Sequence, residues 1–314
     1  MATLFLALCF VLLILETLIG TVANGFIVLV NCIDWFRSKK LSPTDLILVC
    51  LGLSRLMWQA LVMLHVTMVS FFLHTYLSEP VHLSVVIVWS FTVTVNLWFA
   101  ACLGVWYLMK IAIFSHPLFL QVKQRFSSLI PWLLFGSVVF SALITIIAFA
   151  RPISDLAICD PYFLLLNNSY DSEILESRTC MELVISRIVP NVIPSVIFLS
   201  STILLIISLW KHTRHLQHNG IGVRDLNTNV HLSAIKALVS FAVLYLSSWL
   251  AISLQTILHW RRSNGSWAPL FSRNISAAYP SGHAVILILI NPKLKQAWVR
   301  MIHRVKCHVS EPPS

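Results

Sequence analysis

Charge is what this sequence has least of. Lys, Arg, Asp and Glu together make up 11% of its 314 residues, where a soluble domain carries about 25%. So few ionisable groups cannot cover the surface of globular domains, which excludes a soluble enzyme, a disordered chain and a collagen-like repeat. Acid is scarcer than base: 12 Asp and Glu stand against 22 Lys and Arg, a formal net charge of +10. The excess arises from missing acids rather than from a dense basic face, which argues against a nucleic-acid binder. Cysteine patterning is absent as well. The seven cysteines are scattered with no C-x-x-C pair, so neither a metal framework nor a compact disulfide scaffold can be read from them. Internal repeats are also lacking. What is abundant is apolar surface, at 58% of residues, and the class it implies is a polytopic membrane protein.

A hydrocarbon core about 30 Å thick needs roughly 20 apolar residues per helix. Seven runs meet that length, at 4–32, 46–73, 83–109, 128–149, 183–209, 234–258 and 270–290. The expected fold is therefore an all-α membrane bundle of seven helices forming one domain, with a short basic tail at 291–314. The first run is read as a retained helix and not a cleaved leader, because no basic segment precedes it and residues 26–30 extend it. Lys and Arg set the direction. With the N-terminus outside, the inner side receives Arg37, Lys39, Lys40, Lys110, Lys123, Arg125, Lys211, Arg214, Arg224, Lys236, Lys293, Lys295, Arg300, Arg304 and Lys306. The outer side holds only Arg151, Arg178, Arg261, Arg262 and Arg273. The N-terminus is expected outside and the C-terminus in the cytoplasm. The N-x-S/T sequons at Asn167, Asn264 and Asn274 all fall on the outer side, and Asn167, in the long polar loop, is the expected glycan acceptor. Cys159 and Cys180 in that loop, on the oxidising side, are a possible disulfide pair, with two free thiols as the alternative.

Polar groups inside the spans are costly and are candidates for function. Arg55 lies ten residues from Asp45 on the second span, hence about 15 Å deep. Asn24 is ten residues from Asp34 on the first span, and Ser281 is ten from Asn291 on the seventh, with His283 nearby. Three helices thus bring hydrogen-bonding groups to one level, as a buried arginine with five donors needs. Two readings fit, a structural clamp and a switch between states, and they are compatible. In the outer half, Trp89, Thr92, Val93 and Asn96 share one face of the third span. Arg187 and Asn191 share a face of the fifth with Pro190 and Pro194. Ser248 and Gln255 share a face of the sixth, and Arg273 stands near the start of the seventh. Together these positions are expected to line a cavity open to the outside. No catalytic constellation stands out. The histidines cluster at the inner surface, and the run at His212, His215 and His218 has no Cys or carboxylate to complete a metal site.

In combination these residues carry a resemblance. The first span reads Asn24-Gly25-Phe26 and ends Asp34-Trp35, and the second carries Leu53-Ser54-Arg55 with Trp58. The third carries Trp89, Trp98-Phe99-Ala100-Ala101-Cys102-Leu103, Tyr107 and Lys110, followed by Phe114-Ser115-His116-Pro117. Lys211-His212, Arg224-Asp225, Lys236, Ser240-Phe241 and Leu244-Tyr245 follow. The seventh ends Tyr279-Pro280-Ser281-Gly282-His283 and is succeeded by Asn291 and Lys293-Leu294-Lys295. Over nearly its whole length the chain resembles a type 2 taste receptor, a bitter-taste G-protein-coupled receptor. The D-R-Y and C-W-x-P signatures of rhodopsin-like receptors are absent.

The resemblance implies a multi-pass plasma-membrane protein with no enzymatic activity and no cofactor. It implies that a small bitter molecule enters the outer bundle and meets Trp89. It also implies that an inner face including Tyr107, Lys110, Lys123, Arg125, Lys211, His212 and Lys236 activates a gustducin-type heterotrimeric G protein. The chain departs from the family pattern at Val93, where Asn is frequent, at Arg273, where some members carry Glu, at Ser248, and at Ala284. The competing reading is a seven-helix transporter or channel for a small solute. That reading calls for ionisable pairs or broken helices at the midplane, whereas the sequence offers one Arg among neutral groups.

Overall fold

The computed structural model describes residues 2–76, 78–111, 117–150, 173–218, 226–260 and 267–310. Among these residues the regular structure is helical throughout, in nine elements: α1 (Ala2–Ser38), α2 (Pro43–Phe71), α3 (Leu73–Tyr76), α4 (Glu79–Ile111), α5 (Pro117–Phe149), α6 (Glu173–His218), α7 (Leu226–Trp260), α8 (Trp267–Ile290) and α9 (Pro292–Ser310). Six of them, α1, α2, α4, α5, α6 and α7, are long and apolar enough to cross a bilayer. The seventh crossing is α8, which breaks at Asn291 and turns by 92° into α9. Helix is the expected state here because only intrasegment hydrogen bonding satisfies a backbone surrounded by hydrocarbon.

Local chemistry sets the helix ends. Lys39 takes φ 53° and stops α1. Ser42 then caps α2 by accepting a hydrogen bond from the Asp45 N–H at 3.1 Å, and Pro43 fills the first turn, where no N–H is needed. The same device starts α9. The Asn291 side-chain oxygen accepts from the Lys293 and Leu294 N–H groups at 3.0 and 3.4 Å, ahead of which Pro292 begins the helix. The run expected at 46–73 is interrupted at Phe72, whose N–H closes α2 on the Met68 carbonyl before α3 begins. The basic tail, read from sequence only as a charged segment, is helical from Pro292 and strongly amphipathic.

The bundle closes as a ring. α1 packs on α2 and α8, α8 on α7, α7 on α6, α6 on α4, and α4 on both α2 and α5. Large apolar side chains such as Trp132, Ile147, Ile203 and Leu250 are exposed, as a lipid-facing wall requires. Polar residues point inward, with Asn24, Arg55, Thr92, Ser141 and His283 almost wholly buried. Lipid gives helices no hydrophobic reason to associate, so close approach and polar bonds must do it. Gly20 and Gly52 provide the approach. A methyl group at Gly20 would fall within the Gln59 amide and the Ser281 hydroxyl, and one at Gly52 would sit 2.7 Å from the Val28 side chain.

Candidate functional site

Pro280 organises the interior. It has no N–H, so the Ser276 carbonyl one turn earlier loses its helical partner. The Ser248 hydroxyl of α7 donates to that carbonyl at 3.2 Å. A serine expected to line the outer cavity therefore spends its hydroxyl on the backbone of α8. Beside the same proline, Asn24 Nδ2 donates to the Pro280 carbonyl at 3.3 Å and to the Gly20 carbonyl at 2.9 Å. The Ser281 hydroxyl donates to the Glu16 carbonyl at 2.8 Å and accepts from Gln59 Nε2 at 3.5 Å. Thr21 donates to Gln59 Oε1 at 3.2 Å. Side chains thus join α1, α2 and α8 directly, partly by sharing carbonyls that the helices already use.

Arg55 lies at this level, fully buried. Sequence depth alone put Asn24, Ser281 and His283 at its level, and the helix rotations bring His283 to it, with Tyr279, rather than Asn24 or Ser281. Tyr279 and His283, four residues apart and so on one face of α8, turn toward α2, while Ser281 turns toward α1. The Arg55 guanidinium donates to the Tyr279 hydroxyl at 3.1 Å, contacts His283 Nδ1, and places its carbon 5.0 Å from the centre of the Tyr279 ring. No carboxylate pairs with it among the described residues.

From Arg55 a series of contacts runs through the bundle. The Tyr279 ring meets the Tyr245 ring edge-on at 5.3 Å. The Tyr245 hydroxyl lies 3.1 Å from the Ser195 hydroxyl, which donates to the Asn191 carbonyl at 2.6 Å. Asn191 Oδ1 in turn accepts from Thr94 at 3.2 Å. Toward the inner side, the Phe241 and His283 rings are 4.0 Å apart. Sequence reasoning singled out Asn191 and His283 but missed the functional placement of Thr94, Ser195, Tyr245 and Tyr279. The four-residue spacing of Ser195 from Asn191 and of Tyr279 from His283 was the available signal.

At the end expected to face outward, Trp89 packs 4.6 Å from the Trp58 ring and 6.1 Å from that of His65. Its other neighbour is Arg273, whose guanidinium carbon is 5.9 Å from the Trp89 ring centre. The structure thus brings Trp89 and Arg273 together. Thr92, Val93 and Asn96 are buried, and the Thr92 hydroxyl bonds to the Val88 carbonyl of its own helix at 2.7 Å. Asn274 is also buried, on α8. The side chains of Arg187, Gln255 and Cys180, and residues Cys159, Asn167 and Asn264, lie outside the described residues.

At the opposite end a cleft of about 260 Å³ opens between α4, α6, α7 and α8, lined in part by Tyr107, Lys110, Leu209, Phe241 and Asn291. Lys110, Arg125, Lys211 and Lys236 are exposed near this end and Lys123 is half-buried, while the His212 side chain lies outside the described residues. Beside the cleft, the Trp106 indole N–H donates to the Thr44 hydroxyl at 2.8 Å. Lys293 ties the start of α9 to α1 and α2: its ammonium reaches Asn31 Oδ1 at 2.8 Å, Asp34 at 2.9 Å and Asp45 at 3.1 Å. Phe241 is common to the cleft and the buried cluster. Its ring touches His283 and lines the cleft at once.

Comparison with known proteins gives one answer. The family described as Taste receptor protein (TAS2R) matches residues 1–306. The chain is 35% identical over 305 residues to taste receptor type 2 member 39 of Macaca mulatta, covering 96% of this chain and 88% of that protein. It is 33% identical over 290 residues to taste receptor type 2 member 7 of Macaca mulatta, with 92% and 91% covered. To taste receptor type 2 member 2 of Homo sapiens it is 32% identical over 294 residues, with 91% and 93% covered.

Proposed function

The chain belongs to the Taste receptor protein (TAS2R) family, and from that premise we propose that it detects bitter small molecules and signals through a gustducin-type heterotrimeric G protein. It is a multi-pass plasma-membrane receptor and not an enzyme. The N-terminus and the Trp89 end face outward, and the cleft and α9 face the cytoplasm. Agonist enters the outer half of the bundle, near Trp89 and Arg273. The G protein engages the inner cleft and the basic residues around it.

The observation that carries this reading is the contact series between the two ends. Asn191, Tyr245, Tyr279, Arg55 and His283 link outer-half positions on α4 and α6 to Phe241 in the cleft wall. An agonist that binds one arrangement of these side chains better than another shifts the population of cleft shapes by its differential affinity. The competing transporter reading lacks a structural foothold. The break between α8 and α9 lies at the Lys293 end of the bundle, not at the midplane where broken helices hold a transported solute.

Ligand charge follows from Arg273. Its guanidinium already occupies the neighbourhood of the Trp89 ring. Provided that Arg273 points inward and does not pair with Glu16 or Glu182, a ligand cation 6 Å from it would be repelled by about 3 kcal/mol at an effective dielectric near 20, more than the ~1 kcal/mol of a partly exposed cation–π contact. Neutral or acidic agonists are expected. The test is a calcium assay in cells supplied with a gustducin-type Gα subunit and challenged with a broad panel of bitter compounds. The expected result is a response to neutral or acidic compounds that requires both receptor and G protein, and a shift toward basic compounds in Arg273→Glu. Protonated amines as the strongest agonists of the unmodified receptor would overturn the charge argument. Ligand-driven uptake or current without any G-protein response would overturn the receptor reading itself.

A further inference from the structure

A groove of about 420 Å³ lies on the outside of the bundle, away from both the outer site and the inner cleft. Leu18, Ile19 and Val22 of α1 form one wall, Val285 and Leu289 of α8 form the other, and Trp298 of α9 closes its lower end. No polar side chain lines it. Its upper residues are among the exposed apolar side chains, so it opens onto lipid rather than into the helix bundle. Trp298 is fixed there by an edge-on contact with Phe26, ring centres 5.1 Å apart. From Phe26 to Leu18 is eight residues, or about 12 Å along the helix axis, so the groove runs lengthwise up the hydrocarbon layer. Two straight walls and an aromatic stop describe a slot for one extended chain.

The floor supplies the second selection. α9 carries five Lys and Arg and no Asp or Glu between Pro292 and Ser310. Lys293 is engaged by Asn31, Asp34 and Asp45. Lys295 is exposed and stands one turn before Trp298. Residues three apart share one side of a helix, so Lys295 stands at the Trp298 end of the groove, and on the orientation given above that end faces the cytoplasmic leaflet, the one rich in anionic lipid. We propose that the groove between α1 and α8 is a binding site for an anionic phospholipid of the cytoplasmic leaflet, one acyl chain lying in the groove and the phosphate held by Lys295. The site rests on the inward orientation given above for α9, which protease access to the tail in sealed vesicles tests separately.

The experiment uses the full-length receptor in nanodiscs doped with lipids brominated on the acyl carbons nearest the headgroup, since bromine quenches a tryptophan it touches and Trp298 stands at that end of the groove. Subtracting the signal of Trp298→Phe isolates Trp298 from the ten other tryptophans of the chain. Brominated phosphatidylserine is expected to quench the Trp298 signal about fivefold more effectively than brominated phosphatidylcholine at equal fraction, the equivalent of about 1 kcal/mol for one basic side chain. Lys295→Glu is expected to remove that preference. Val22→Phe, at a position that is 60% exposed, is expected to fill the slot and protect Trp298 from both lipids. Equal quenching by the two phospholipids overturns the proposal, as does stronger quenching by a brominated sterol. Unchanged quenching in Val22→Phe also overturns it, because the lipid then touches Trp298 without entering the groove.

Discussion

The two sides of this bundle are built differently. Where α1, α2 and α8 meet, two glycines let the helices close up, and Asn24, Ser281, Gln59 and Thr21 bond across, partly to backbone carbonyls. Lys293 adds an ionic tie at the inner end. Where α6 meets α7, the described cross-bond is the Ser195–Tyr245 hydroxyl pair, backed by the Phe198–Tyr245 ring stack at 4.2 Å. A network of this kind is costly to break because the Asn24, Ser281, Gln59 and Thr21 side chains, once parted, find no water in hydrocarbon to replace their partners. A single hydroxyl pair contributes about 1 kcal/mol net, within reach of what a ligand's differential affinity supplies. From this comparison we infer that α1, α2 and α8 form the stiffer part of the bundle and that α6 and α7 separate more readily. Arg55 joins the two, since its partner Tyr279 also faces Tyr245.

Removing Arg55 is the severest test of that joint. Arg55→Ala deletes a fully buried side chain and leaves the Tyr279 hydroxyl and His283 without their partner. Cavity and unsatisfied-group costs together are expected to exceed about 3 kcal/mol. Flow cytometry on intact cells is expected to show most of the variant missing from the surface, with signalling lost in proportion. Normal surface display and a normal agonist response would mean that Arg55 clamps nothing.

Next in size is the stiffer part itself. Gly20→Ala forces a methyl group into the Gln59 amide and Ser281 hydroxyl, and overpacking of this kind costs about 1–3 kcal/mol. Gly25, one turn further along the same helix, has nothing within 4 Å of an added methyl. Gly25→Ala is therefore expected to be neutral or to stabilise α1 by up to about 1 kcal/mol through helix propensity. Thermal unfolding of the two purified variants should move in opposite directions. If both behave alike, close approach at Gly20 is not what holds α1 to its neighbours.

The sequence announced the crossings and hid their pairings. Apolar length sufficed to place seven helices, because hydrocarbon thickness leaves few alternatives. Depth along each helix was also readable, which is why Asn24, Arg55, Ser281 and His283 were brought to one level. Rotation about each helix axis was not. A two-residue offset separates Ser281, which turns to α1, from Tyr279 and His283, which turn to α2, and nothing local fixes it. Ser248 shows the same limit, since its bond to the Ser276 carbonyl exists only because Pro280 on another helix freed that carbonyl. The amphipathic character of α9 was present in the sequence, but the count of basic residues drew attention away from the apolar positions between them.

On the other side, Tyr245→Phe removes one hydroxyl and keeps the ring against Phe198 and Tyr279. The stability change is expected to stay near 1 kcal/mol, with surface display intact. The signalling change should be clearer than the stability change: α6 and α7 lose their described cross-bond, so basal calcium signalling rises or the agonist response shifts. Normal basal and agonist-driven signalling in a well-displayed variant would take the Ser195–Tyr245 bond out of the coupling.

The smallest effect is expected at Lys293, and it separates the two sides most cleanly. Its ammonium sits between Asp34 and Asp45, with side-chain exposures of 33% for Lys293, 46% for Asp34 and 18% for Asp45. Solvent screens such a group, so Lys293→Gln is expected to cost under about 1 kcal/mol, most at low ionic strength and less as salt rises. The consequence should be local. α9 loses its tie to α1 and α2 while its Asn291 cap remains, so amide exchange is expected to quicken along residues 292–310 and to stay unchanged in α6 and α7. Combined with Tyr245→Phe, the two costs should add within about 0.5 kcal/mol, as for sites that share no partner. A larger coupling would show that the stiffer part yields when α6 and α7 separate, and the division between the two sides would have to be redrawn around the cleft that both of them border.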